Sequence, residues 1–220
     1  MALRAWYMPL NVLVVDDAAE FADLIVMDLK SRSYHASAVY SGLSAIKSAL
    51  SLKFQAILLD IMMPGEVPLA ELSAIPGVQQ DKTLLPLTDD LFFRQSSRMP
   101  LPHLLKQGAN EHAMPDKRFY TIAQLSEMIK PYGDNGPLYV HLDGYLASSI
   151  IKSSLADRKQ VVVLFFTAGG VNEAFYKRFN GFLADDIFLK SQYYDRVLAT
   201  LAGLKKGKRP KTGAKSAEKP

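Results

Sequence analysis

Hydrophobic positions along the chain alternate between two spacings. "NVLVV" (Asn11–Val15) and "QAILLD" (Gln55–Asp60) are short apolar runs, the signature of parallel strands buried on both faces. Between them, "AEFADLIVMDLKSR" sets Phe21, Leu24, Ile25 and Leu29 at helical spacing. "HASAVY" (His35–Tyr40) is a weaker strand, and Ser41 is placed to cap a helix carrying Leu43, Ile46, Ala49 and Leu50. Strand, helix, strand, helix, strand predicts a parallel sheet with right-handed crossovers and helices on both faces. Ligands of such sheets bind beyond the carboxyl ends of the strands. Asp16, Asp17 and Asp60 all stand at those ends.

Three carboxylates at one rim repel one another. A hard divalent cation with oxygen ligands relieves that conflict, and Mg²⁺ suits a site of few carboxylates that also handles phosphate. The plainer alternative makes Asp16 a helix cap and leaves Asp17 in solvent.

Composition narrows the chemistry. At 220 residues the chain is long enough for a substantial core, and 49% hydrophobic with 22% charged residues is ordinary for a globular protein. No cysteine is present, which excludes disulfides, thiolate metal sites and thiol catalysis. No uninterrupted apolar run is long enough to span a membrane. The apolar N-terminal stretch (residues 1–10 form a short extension) stops at Asp16 and Asp17 without a small-residue cleavage site, which predicts a cytoplasmic protein. The net charge of +4 is a property of the tail. Residues 205–220 hold seven Lys/Arg and one Glu, and taking these from totals of 26 and 22 leaves 19 basic and 21 acidic residues. With no apolar side chain larger than alanine the tail is expected to be disordered, and to touch nucleic acid only weakly and without sequence preference.

"NVLVVDD", "AILLDIMMPG", "VVVLFFTA" and "ADDIFLK" resemble, in order and at strand ends, the motifs of the response-regulator receiver (CheY-like) domain. The resemblance implies an α/β fold with a doubly wound five-stranded parallel sheet. It also implies that Asp60 accepts a phosphoryl group. Asp16, Asp17, Asp60 and the Met62 backbone carbonyl would hold Mg²⁺, Thr167 would offer its hydroxyl, and Lys190 would pair with the phosphoryl charge. The implied donor is a sensor histidine kinase or a histidine phosphotransfer protein of a two-component phosphorelay. The duller roles are a strand-end cap for Thr167 and a solvated surface lysine at position 190.

The resemblance covers residues 11–65 and 142–204. It breaks at residues 66–141, an insert of 76 residues between the third strand and the third helix that holds eight of the twelve prolines. A structureless loop of that length is improbable, and "LLPL", "LFF" and "LPHLL" are too apolar for one. The expectation is a small, mostly irregular and helical subdomain, with a helix in "TIAQLSEMIK" opened by a Thr121–Gln124 capping box. Its exposed surface would serve a downstream partner or self-association, and deleting it should leave a folded receiver. His103, His112 and His141, with Glu111 and Asp116, match no metal-ligand spacing and read as polar surface.

The receiver pattern is also altered near Lys190. Ser191 stands where the family has proline, and Ile187, with Phe188 beside it, where it has an aromatic residue. No output domain follows the last helix, expected at about Ser191–Leu204. Two functions therefore stand: a stand-alone phosphoacceptor receiver, which is a signalling protein rather than a conventional enzyme, or a pseudo-receiver binding module not switched by phosphate. A haloacid-dehalogenase-type hydrolase would need a second aspartate where Met62 stands, and is set aside.

Overall fold

Burial of both faces of the first strand organises half the protein: Val12, Leu13, Val14 and Val15 are all buried. The computed structural model describes residues 9–86, 92–94, 119–129, 138–155, 161–169 and 184–209. In chain order the elements begin with β1 (Asn11–Val15), α1 (Ala19–Ser31), β2 (His35–Val39), α2 (Gly42–Ser51) and β3 (Ala56–Leu59). Next come β4 (Glu66–Pro68), α3 (Leu69–Ser73), β5 (Leu84–Pro86), β6 (Phe92–Arg94), β7 (Phe119–Thr121), α4 (Ile122–Ile129) and β8 (Leu138–His141). The chain then forms α5 (Gly144–Ser154), β9 (Val162–Thr167), β10 (Asp186–Leu189) and α6 (Leu198–Lys205). Two compact units result: Met1–Tyr40, Lys53–Ile61 and Gln160–Pro220 in the first, Ser41–Leu52 and Met62–Lys159 in the second.

The first unit contains a parallel sheet of order β10-β9-β3-β1-β2. Counting only this sheet's strands, the order is 2-1-3-4-5, the doubly wound flavodoxin-like α/β arrangement. Val12, Val14, Leu58, Leu164 and Phe166 pack with Ala22, Ile25 and Leu29 of α1 and with Val197 and Leu201 near the C-terminus. The intervening Leu13, Ile57, Leu59, Val163 and Phe165 are buried as well, which is why these strands read as unbroken apolar runs.

The predicted last helix is not regular. Lys190–Gln192 form a 3₁₀ turn and Tyr193–Val197 a π turn before α6 begins. Lys205, placed in the tail by composition, is the last residue of α6. Its Nζ donates to the carbonyls of Arg32 (3.3 Å) and Ser33 (3.0 Å) and lies 3.6 Å from the centroid of the Tyr34 ring. Ser33 occupies the left-handed region (φ 61°), and this anchor holds the turn out of α1 in place. The rest of the tail beyond residue 209 lies outside the described residues.

The second unit gathers α2, α5 and the insert. Ser41 caps α2, its Oγ accepting from Ser44 N–H at 3.2 Å, as its sequence position predicts. Thr121 and Gln124 form the reciprocal capping box: Thr121 N–H donates to Gln124 Oε1 (2.9 Å) and Gln124 N–H to Thr121 Oγ1 (3.1 Å). The insert also contains strands that periodicity did not predict. β4, β8 and β6 form one antiparallel sheet, and β5 pairs with β7. Each has three or four residues, too few for an alternating pattern to show, and Pro68 sits on an edge strand where a missing N–H is tolerated. The insert's two ends are zipped together, Glu66 pairing with His141 and Leu142 N–H donating to Gly65 O at 2.9 Å.

Asp143 caps α5, accepting from Leu146 N–H at 2.8 Å. Burial pushes its carboxyl up to about 6, against the lowering by the backbone N–H groups of Leu146 and Tyr145. The folded state therefore binds this proton more tightly than the unfolded chain. The resulting stability is full below pH ~4 and declines as pH rises to about 6. Asp143→Asn, which keeps a capping oxygen, should remove that decline from a series of urea midpoints taken between pH 4 and 7.

Candidate functional site

Strand register brings the candidate residues to one rim. Val15 pairs with Leu59, and Leu59 with Phe165. The ladder continues one step further on each side, with Asp16 N–H donating to Val39 O (3.2 Å) and Asp60 N–H to Val15 O (2.9 Å). Asp16 and Asp60 thus leave their strands side by side, with Thr167 at the end of β9.

Asp16 and Asp60 are buried (1% and 5% exposed) while Asp17 is exposed. One oxygen from each lies within 4.8 Å of the others. Lys190, which follows β10, reaches both buried carboxylates: its Nζ is 2.6 Å from Asp16 Oδ2 and 2.9 Å from Asp60 Oδ2. Desolvation pulls the Lys190 ammonium down, but the two carboxylates outweigh it and the net shift is upward. Asp16 is raised by burial, against the lowering by Lys190 and by the Ala18 N–H, which donates to Asp16 Oδ1 at 3.0 Å. Asp16 therefore also makes the local turn expected of a helix-entry aspartate, and the first helix starts from Ala18 with no side-chain cap.

The remaining candidates fall as follows. Thr167 is buried and its hydroxyl donates to the Gly169 carbonyl at 3.3 Å. Met62 is exposed and lies in the second unit, just past Ile61. No cis peptide occurs among the described residues, so Lys190–Ser191 is trans, and Lys190 reaches Asp60 all the same. Phe188 is buried under the Arg196 guanidinium, 5.0 Å from its ring centroid. His141 Nδ1 is 3.9 Å from Glu66 Oε1 on adjacent strands. His103, His112, Glu111 and Asp116 lie outside the described residues. Among the described residues the only group of three or more potential metal ligands is Asp16, Asp17 and Asp60.

Sequence reasoning missed Phe21 as part of this site. Its ring centroid is 4.8 Å from Lys190 Nζ, and its position, one helical turn beyond Asp17, was the available signal.

No family model matches this chain, and no curated protein is found similar to it. Solved structures are. The receiver domain of a sensor histidine kinase from Pseudomonas aeruginosa, with a magnesium ion in its active-site cleft, is 17% identical at a TM-score of 0.46, covering 90% of this chain and 99% of that one. The response regulator TrrA from Thermotoga maritima, in complex with Mg²⁺ and BeF, is 14% identical at a TM-score of 0.43, over 89% and 98%. A CheY-like receiver domain protein from Methanospirillum hungatei is 11% identical at a TM-score of 0.45, over 91% and 99%. Strand order and register define the fold.

Proposed function

We propose that this chain is a phosphoacceptor receiver of a two-component phosphorelay, with Asp60 as the accepting residue. The observation that carries the reading is the clustering of Asp60, Asp16 and Lys190 at the carboxyl ends of β3 and β1, beside the exposed Asp17. In the transfer an Asp60 carboxylate oxygen forms a bond to phosphorus. The bond from phosphorus to the donor's leaving group breaks, and that group departs with the electron pair. Lys190 offsets charge on the phosphoryl oxygens, and Thr167 offers a hydroxyl once released from Gly169.

The acidic group fits Mg²⁺. It supplies hard oxygen donors, the three carboxylates offering oxygens within 4.8 Å of one another. Oxygens on one Mg²⁺ lie at most about 4.2 Å apart, so the cluster needs little closure. Asp16, Asp17 and Asp60 would hold the ion, and when bound it would neutralise phosphoryl oxygens. The donor by this reading is a sensor histidine kinase or a histidine phosphotransfer protein. The insert's exposed surface is the contact for a downstream partner or a second copy. Location in the cytoplasm belongs to the same reading.

The decisive experiment is incubation with Mg²⁺ and acetyl phosphate followed by intact-mass measurement, which should show one added phosphoryl group. A phosphate-independent binding module is the second reading, favoured by the way Lys190 already satisfies both buried carboxylates. No added mass would select it.

Asp17→Asn tests the metal directly. Losing even an outer-shell partner costs roughly 10–100-fold in metal affinity, and losing a ligand should cost no less. Mg²⁺ binding by calorimetry should weaken by that amount. Unchanged binding would show that Asp17 is not a ligand.

A further inference from the structure

We infer that Phe21 is a positioning residue for Lys190, holding the ammonium against Asp60 through the face of its ring. The inference rests on the phosphoacceptor reading and adds a residue to it. Three groups surround Lys190 Nζ: Asp16 Oδ2 at 2.6 Å, Asp60 Oδ2 at 2.9 Å and the Phe21 ring at 4.8 Å. The Lys190 side chain is only 17% exposed, so the ring takes a place that water would otherwise fill. A cation over an aromatic face is attracted by the ring quadrupole, and more strongly when desolvated.

The ring is itself held in place. Phe21 stacks on the buried Phe166 of β9 (centroids 5.8 Å apart, planes 29° apart), and Phe166 meets Tyr193 at 5.9 Å. Tyr193, three residues after Lys190, donates its hydroxyl hydrogen to Asp28 Oδ2 on α1 at 2.8 Å. α1, β9 and the turn after β10 thus fix the ring and the lysine against one another. Such a constraint matters here because Ser191, unlike a proline, does not restrict the backbone of the residue before it. A leucine at position 21 would fill much of the same space and supply no quadrupole.

Two measurements on the full chain test this. The first is the initial rate of phosphoryl incorporation from acetyl phosphate with Mg²⁺, for Phe21→Leu, Phe21→Tyr and phenylalanines of increasing ring fluorination at position 21. Fluorine empties the ring face with little change of shape. The rate should fall stepwise with each fluorine, fall roughly 2- to 30-fold for Phe21→Leu, and stay near the unaltered value for Phe21→Tyr. The second is the proton NMR position of the Lys190 ε-methylene, which should be ring-shifted upfield in the unaltered chain and not in Phe21→Leu. Rates indifferent to fluorination and to Phe21→Leu, with Asp60→Ala inert, would overturn the role of Phe21 and leave the phosphoacceptor reading intact. If the unaltered chain takes no phosphoryl group, that reading fails. The NMR comparison then decides the positioning alone: an upfield shift lost in Phe21→Leu supports it, and no shift overturns it.

Discussion

Asp60→Ala should carry no phosphoryl group after incubation with Mg²⁺ and acetyl phosphate, whereas the unaltered chain should gain one. The loss should be complete, because neither neighbouring carboxylate is placed to substitute. Asp16 is 1% exposed, with Oδ1 held by the Ala18 N–H and Oδ2 against Lys190. Asp17 is exposed and outside the Lys190 pair, so an attached phosphoryl group would not meet the ammonium. Removing the Asp60 carboxylate still leaves Lys190 paired with Asp16, so no buried charge is stranded and the variant should fold. Intact-mass measurement with circular dichroism separates loss of the acceptor from loss of the fold. A phosphoryl group that persists in Asp60→Ala would place the acceptor elsewhere.

The parts of this site that were legible in the sequence are those set by burial and local hydrogen bonding. β1, β3 and β9 read as strands because sheet burial on both faces leaves polar residues only at their ends, and an aspartate ending such a run marks the rim. Ser41 and the Thr121–Gln124 box were legible because a cap is satisfied within three residues. Long-range choices were not. Lys190 and Asp60 are 130 residues apart, and nothing local indicates that Lys190 also closes on Asp16. The ring of Phe21 looked like ordinary helix core, since periodicity gives the face of a helix but not its partner. For the same reason the apolar faces of α2 and α5 did not disclose that the insert packs with them in one unit.

That packing argues against the expectation that the insert can be removed. Deleting Glu66–His141 should leave a chain without a cooperative unfolding transition. The connection itself is not the obstacle, because Leu142 N–H already bonds Gly65 O at 2.9 Å and the two ends adjoin. The obstacle is the core. Leu72, Leu85, Ile122, Leu125 and Val140 are completely buried, and burying one such side chain contributes about 1.5–3 kcal/mol. Five of them match much of the ~5–15 kcal/mol that separates folded from unfolded domains. The contact with α5 is also polar and specific. Ser149 Oγ donates to Leu84 O at 2.6 Å, Leu84 N–H donates to Ser153 Oγ at 3.2 Å, and Thr83 and Ser154 share a 3.1 Å bond. A graded version of the experiment is Leu85→Ala, which should cost ~2–5 kcal/mol in the urea midpoint while leaving the phosphorylation residues in place. A deletion product that unfolds cooperatively at the midpoint of the full chain would show the insert to be an appendage and the α5 contacts dispensable.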